Sequence, residues 1–335
     1  MTEPDLLAGE TDDAPAVDQG PELRLGVSSC LLGEEVRFDG GHKHDRWLTD
    51  GLGRYVRWFP LCPEVEIGLG TPRETIRLEG EIGEPRLVST KTRTDLTDRM
   101  REWSDSQMAT IASWDLHGFV LKRGSPSCGV FRVRVYNDKG MPVRDGRGLF
   151  ASRLMQRFPL LPVEEEGRLH DPSLRESFIE RLFIHERWKA FLRDNPTPGG
   201  LVDFHAVHKF SLLARGPDCY RRLGRLVADA GKRRFDELTA EYSALLAEGL
   251  ERLSSRGRHA NVLQHVMGFL KKAITADDKD ELVATIEDYR RGLLPLIVPI
   301  TLLKHHLRRC DVPDWILRQA YLDPYPKELM LRNRL

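Results

Sequence analysis

Short apolar runs punctuated by glycine-bearing polar stretches fill the first half of the chain, and longer runs at helical spacing fill the second. Leu23-Arg24-Leu25-Gly26-Val27 reads as a strand, and so do Tyr55–Phe59 and Phe119-Val120-Leu121. Val130–Tyr136 alternates apolar and polar positions, and Asn137-Asp138-Lys139-Gly140 behind it has the residues of a hairpin turn. Between these runs lie helical patterns, short ones at Trp47–Leu52 and Gly148–Arg157. A longer one, about 20 residues, runs from an N-cap at Thr94-Asp95 to Leu116. Strands alternating with helices predict an α/β domain with a largely parallel sheet.

From Asp171-Pro172 a helix is predicted to Asn195, ended by Pro196-Thr197-Pro198-Gly199-Gly200. Leu201–Ala214, Tyr220–Ala230, Phe235–Leu253, Val262–Ala273, Asp280–Arg291 and Leu296–Arg309 each repeat apolar residues near the helical period. No internal repeat is present. The expected organisation is a disordered acidic tail over 1–22, an α/β domain over 23–165, a helical linker over 166–200 and an all-α domain over 201–335.

A length of 335 residues fits two domains, and 40% apolar with 30% charged residues describes a globular chain. No run is long and apolar enough to cross a bilayer, so the expected location is cytoplasmic. A net charge of zero hides an uneven distribution. Residues 1–20 carry six acidic side chains and no Lys or Arg, whereas residues 190–335 carry 24 basic against 19 acidic, a net +5. The basic half is compatible with an anionic partner such as nucleic acid. Five cysteines in a cytosolic chain point away from a disulfide framework and toward catalytic, metal-binding or packing roles.

Three of them share one kind of position. Cys30 follows the first strand in Ser28-Ser29-Cys30-Leu31-Leu32-Gly33, and Cys62 follows the second in Leu61-Cys62-Pro63-Glu64. Cys128 follows the third in Gly124-Ser125-Pro126-Ser127-Cys128-Gly129. In open α/β sheets ligands bind beyond the carboxyl ends of the strands, so the three thiols are expected to converge despite their separation in sequence. Three thiolates suit an open zinc site, an iron–sulfur cluster with one iron left free, or one nucleophile with two bystanders. The residues alone leave these open.

The three motifs, in this order, resemble those of the 2-thiouracil desulfurase family over about residues 23–165. The resemblance implies a [4Fe-4S] cluster bound by Cys30, Cys62 and Cys128, whose free iron takes the sulfur of a thiolated pyrimidine. Hydrolytic loss of that sulfur then gives the oxo base. It also implies Glu64 and Ser125 as acid–base candidates. Chemically, Glu64 is placed to take a proton from water, with a carboxylate stabilised at a helix N-terminus as the alternative. Ser125 would orient water or substrate, or simply hold a turn. His42 and His44 fall on a nearby glycine loop and are not assigned. Arg73 reads as an anion or base contact or as a surface salt-bridge residue, and Cys219 and Cys310 read as packing residues.

The second half resembles the YbgA-like helical family through Phe204-His205-Ala206-Val207-His208-Lys209, His265-Val266-Met267-Gly268-Phe269 and Thr301-Leu302-Leu303-Lys304-His305-His306. The fusion resembles the tRNA 4-thiouridine desulfidases. It implies conversion of 4-thiouridine in tRNA to uridine and sulfide, with the helical domain gripping the RNA. Expected phosphate contacts are Lys209, Arg221, Arg222, Arg225, Lys232, Arg233, Arg234, Arg256, Arg258, Lys271 and Lys272. A metal site on His205, His208, His265 and His305 is the alternative use of that half. The rivals to the whole reading are a desulfurase of free thiouracil or thionucleosides, and a non-catalytic iron–sulfur sensor or RNA-binding module. The expected partners are tRNA and a thiolated pyrimidine, with no membrane; no oligomeric state is assigned.

Overall fold

The computed structural model describes residues 22–334, so the expected acidic tail lies, apart from Glu22, outside the described residues. The first half runs β1 (Leu23–Ser28), β2 (Val56–Leu61), α1 (Pro63–Glu66), β3 (Ile76–Glu79), β4 (Arg86–Ser89) and α2 (Thr97–Ser113). It continues through β5 (Gly118–Leu121), β6 (Val133–Tyr136), β7 (Pro142–Gly146), α3 (Leu149–Arg157) and β8 (Val163–Glu165). The α/β class holds. One sheet is wholly parallel in the order β2-β1-β5-β8, and β1 at its centre is buried at every position but Arg24. Burial on both faces is what a parallel sheet requires, and the continuous apolar run of β1 supplies it.

A second sheet, β4-β3-β6-β7, was not read from the sequence. Its β3 and β4 are four residues each, too short for alternation to declare itself, and they pair antiparallel while β3 and β6 pair parallel. The expected strand Val130–Tyr136 begins only at Val133, because the backbone N–H groups of Val130 and Phe131 donate to the Glu165 carboxylate at 2.7 and 3.0 Å. The expected start of α2 also shifts. Asp95 still bridges to Val88 and Leu96 N–H donates to Leu87 at 2.7 Å, so the helix opens at Thr97, whose N–H the Asp95 carboxylate accepts.

The second half is helical: α4 (Pro172–Asp194), α5 (Pro198–Val207), α6 (Lys209–Arg215), α7 (Pro217–Ala228), α8 (Phe235–Leu250), α9 (Arg256–Met267), α10 (Ala276–Arg291), α11 (Ile297–Arg309) and α12 (Asp314–Leu317). The single helix expected over Leu201–Ala214 is broken at His208, whose φ of −96° and ψ of 5° leave the helical range. The stretch expected as a linker contains α4, capped by the Asp171 carboxylate on the N–H groups of Ser173 and Leu174. Its Phe178, Ile179, Leu182 and Phe183 share an apolar cluster with Leu23, Leu25 and Val27 of β1, while Ile184, Trp188 and Phe191 share another with Leu201, Leu212, Leu223 and Tyr242. The helix is thus a common wall. Gly118 shows how tightly it closes on the sheet, since a Cβ there would stand 2.2 Å from Leu182 Cδ2.

Candidate functional site

Each thiol is presented by the turn that ends its strand. Ser29–Leu32 coil into one 3-10 turn after β1, closed by Gly33 at φ +98°, and Lys43 N–H donates to the Cys30 carbonyl at 2.8 Å. Cys62 is the N-cap of α1, its carbonyl accepting from Val65 and Glu66, with Pro63 at the position where a helix needs no donor. Before Cys128 the chain reverses at Gly124, φ +68°, and Ser125 Oγ accepts from the backbone of Ser127 and Cys128 at 3.2 and 3.1 Å. Gly129 must lack a Cβ, which would lie 2.5 Å from Val133 Cγ2 and 2.8 Å from Ser125 O.

The thiols line one cavity of about 320 Å³ beyond the carboxyl ends of β1, β2 and β5, as expected for the fold. Cys30 and Cys128 are buried, Cys62 is half-buried, and none is in a disulfide. Burial, then the neighbouring Cys62, pushes the Cys30 thiol up to about 11. Burial likewise raises Cys62, and burial followed by Cys62 and Glu64 raises Cys128 well above its ordinary range. Each thiolate is therefore opposed chiefly by burial, with Cys62 adding to the shift at Cys30 and Cys128, and taking up a metal would expel their protons. A larger cavity of about 860 Å³, between Trp47–Val56 and the segment 326–334, contains no cysteine, so size does not locate the chemistry.

Glu64 enters the same cavity from the first turn of α1. Arg73 donates to its Oε2 through Nε at 3.1 Å and Nη2 at 2.7 Å. Ser125 and Ser127 hydroxyls donate to the other oxygen, Oε1, at 3.3 and 3.1 Å. Arg73 is 5% exposed, so the surface reading of this residue is corrected: its Nη1 also donates to the carbonyls of Val36 and Gly70 at 2.8 and 2.9 Å. Ser125 holds its turn through its oxygen, while its hydroxyl hydrogen serves Glu64. Ser127, fully buried, was missed, although it is one residue from a singled-out cysteine.

The carboxylate run Glu164-Glu165-Glu166 at the end of β8 was missed too. Glu165 fixes the backbone after Cys128, and Glu166 accepts from Lys122 Nζ at 2.6 Å and Arg123 N–H at 2.7 Å. Burial raises the Glu165 carboxyl while those backbone donors oppose the shift. The only sequence signal was three consecutive acids closing an apolar run. Lys43 and Arg123 stand exposed at the cavity, while His42 and His44 lie on the surface, with His44 bonded to Thr49.

The helical-half candidates scatter. His205 is buried against Tyr220 and the Tyr242 hydroxyl, and His208 bonds to the Phe204 carbonyl, while His265 and His305 are exposed. Among the described residues no three His, Cys, Asp or Glu side chains, the three thiols included, stand close enough to hold a single metal ion; the four histidines, two buried and two exposed, do not form such a site. Cys219 packs against Gly249 and Cys310 Sγ reaches the Ala273 carbonyl, both structural. Arg222, Lys232, Arg233 and Arg234 pair with acidic neighbours and Arg258 donates to carbonyls. Among the described residues no helix is long and apolar enough to cross a membrane.

Comparison with known proteins follows the same division of the chain. A model of the 2-thiouracil desulfurase family matches residues 25–166, and one of DUF1722, a family of unknown function, matches residues 209–326. The uncharacterized protein YbgA of Escherichia coli (strain K12) is 31% identical over 160 residues, 47% of this chain and 94% of that protein. The uncharacterized protein YbbK of Bacillus subtilis (strain 168) is 33% identical over 108 residues, 31% of this chain and 71% of that protein. A solved structure, the [4Fe-4S]-dependent thiouracil desulfidase TudS, is 30% identical with a TM-score of 0.37, covering 47% of this chain and 99% of that one. The chain belongs to the 2-thiouracil desulfurase family through residues 25–166, and carries a DUF1722 domain behind it.

Proposed function

We propose that the protein removes sulfur from a thiolated pyrimidine by hydrolysis, using a [4Fe-4S] cluster held by Cys30, Cys62 and Cys128, and that the pyrimidine is 4-thiouridine in tRNA. The observation that carries this is the meeting of three free thiols and Glu64 in one cavity of about 320 Å³. The donor set fits the group: three soft sulfur ligands that hold their protons by themselves and release them to a metal. When bound, the cluster supplies Lewis-acid polarisation of the C=S sulfur at an iron that no cysteine occupies.

The chain's own residues account for the proton. Water adds to the carbon bearing sulfur, the C–S bond breaks and sulfide departs, so uridine forms with no change of oxidation state. Glu64 accepts the proton of the attacking water and returns one to the product side. Arg73 holds Oε2 by two hydrogen bonds, leaving Oε1 toward the Ser125 and Ser127 hydroxyls as the proton-accepting oxygen. The buried position of the thiols excludes bulk water from sulfur, while the half-buried Cys62 edge stays open to substrate.

Two features support a phosphate-bearing substrate over a free base. Lys43 and Arg123 are exposed at the cavity, and Arg221, Arg225, Lys271 and Lys272 are exposed on the helical half with no carboxylate partner among the described residues. Such side chains bind phosphates irrespective of base. The test is anaerobic incubation of cluster-loaded protein with 4-thiouridine-containing tRNA, 4-thiouridine and 2-thiouracil, followed by nucleoside and sulfide analysis. Loss of 4-thiouridine from tRNA with matching sulfide is expected. Turnover of the free compounds alone overturns the tRNA assignment, and no turnover of any by loaded protein overturns the desulfidase.

A further inference from the structure

A second polar cavity, about 130 Å³, lies between the start of α4, the start of α9 and the C-terminal segment, and shares no lining residue with the thiol cavity. Four guanidinium groups line it, those of Arg215, Arg256, Arg332 and Arg334, against the carboxylates of Glu176 and Glu180. Both carboxylates are already engaged: Glu180 with Arg215 at 2.5 Å, and Glu176 with Arg332 at 2.8 Å and the Tyr325 hydroxyl at 3.0 Å. The excess positive charge stays with the cavity.

The two inner arginines carry a second sign. Arg215 is 1% exposed and Arg332 5%, yet Arg215 Nε and Arg332 Nη2 have no hydrogen-bond partner, and neither has the buried Ser254 Oγ on the same wall. A buried donor left unpaired costs free energy, and a charged one costs more, so three around one cavity mark a missing acceptor. The cavity also meets the amino end of α9, where Ser255 caps only Arg258 N–H and the helix dipole adds positive potential. Apart from Glu176 and Glu180, both already paired, the charged side chains lining the space are guanidinium groups, and its size admits one small tetrahedral group.

We propose that this cavity binds a single phosphate-class oxyanion, seated between Arg215, Arg332, Arg256 and Ser254. The site does not depend on the desulfidase reading, since none of its residues lines the thiol cavity; Arg215, Ser254 and Arg256 come from the DUF1722 region and Arg332 from beyond it. Inorganic phosphate, a nucleotide phosphate and an RNA terminal phosphate all present the same oxygens.

The experiment uses the full chain. Inorganic phosphate is titrated calorimetrically, and melting is compared in phosphate and in chloride of equal ionic strength. Wild type is expected to bind phosphate and to melt higher in it. Arg256→Gln, at an exposed position, and Ser254→Ala should each weaken binding, the arginine change by about tenfold or more, while melting in chloride stays the same. No phosphate binding by wild type, or wild-type affinity in both variants, overturns the site. A nucleoside 5′-monophosphate and paired 5′-phosphorylated and 5′-hydroxyl oligonucleotides then identify the source. Binding of the monophosphate alone assigns a small molecule, and preference for the phosphorylated oligonucleotide assigns an RNA end. Equal binding of both oligonucleotides without any response to phosphate overturns the proposal.

Discussion

In the proposed reaction Glu64 acts through the asymmetry of its two oxygens. Arg73 occupies one with a charge-assisted pair of hydrogen bonds, and only hydroxyls, which can turn away, face the other. Glu64→Gln should therefore keep iron and labile sulfide at wild-type stoichiometry while turnover falls by about 10²–10⁴-fold. Turnover within a few-fold of wild type would reduce Glu64 to a partner of Arg73. The thiols separate in the opposite way. Cys30→Ala, Cys62→Ala and Cys128→Ala should each lose the cluster, whereas Cys219→Ala and Cys310→Ala, both outside the cavity, should keep it; iron and sulfide assays after anaerobic reconstitution decide. At this scale the cysteines and Glu64 were legible because each sits in a short local motif at a strand end. Arg73 was singled out without its partner and Ser127 was missed, because what makes them matter is a carboxylate reached through space, 9 and 63 residues away.

Among the elements, α4 has the widest role, since one helix closes the parallel sheet and one helical cluster. Leu182→Ala should cost about 2–5 kcal/mol in denaturant unfolding, as deletion of fully buried leucines does. The seam beside it should also respond to pH. His117 Nδ1 accepts from Arg24 N–H at 2.9 Å, and His185 bonds to the His117 carbonyl at 3.2 Å. Burial, then nearby Lys189, lowers His117 to about 3 and His185 to about 4. Both lie below the ordinary value of about 6.5 expected in the unfolded chain, so the unfolded state binds more protons between those limits. Stability is then fully present above pH 6.5 and falls as pH drops toward 4, levelling once the folded histidines protonate. Denaturation midpoints at pH 7 and 5 should show the fall. His117→Asn, whose side-chain oxygen can replace Nδ1 as acceptor, should flatten part of it. Sequence periodicity found α4 to within a residue or so but could not show that both its faces are buried, because each face finds its partners far away in the chain. The four-residue strands β3 and β4 escaped for the same reason: their pairing partners, not their own composition, make them strands.

For the whole molecule, the proposed tRNA substrate raises the question of what the helical half contributes, and deleting that half would not answer it. Leu331 belongs to the cluster around β1, and Trp188 and Phe191 of α4 would be uncovered by the loss of α5 and α8, so the remainder would be missing part of its own core. Charge changes leave the packing alone. The basic count of this half overstated its free charge, since Arg222, Arg233 and Arg234 are engaged by Glu248, Glu241 and Asp236; pairing across a surface is not written in composition. Arg221, Arg225, Lys271 and Lys272 are exposed and without such partners among the described residues. Replacing these four by Gln should weaken tRNA binding and shallow its salt dependence by roughly 0.7–0.9 in log–log slope for each phosphate no longer neutralised. Turnover of 4-thiouridine as a free nucleoside should stay at the wild-type rate, since none of the four lines the thiol cavity. Affinities for thiolated tRNA measured across a salt series, beside nucleoside turnover in the same preparations, give both readings. An unchanged salt slope removes these residues from the RNA interface, and an equal fall in both activities would make the helical half a support for the catalytic cavity rather than a grip on the RNA.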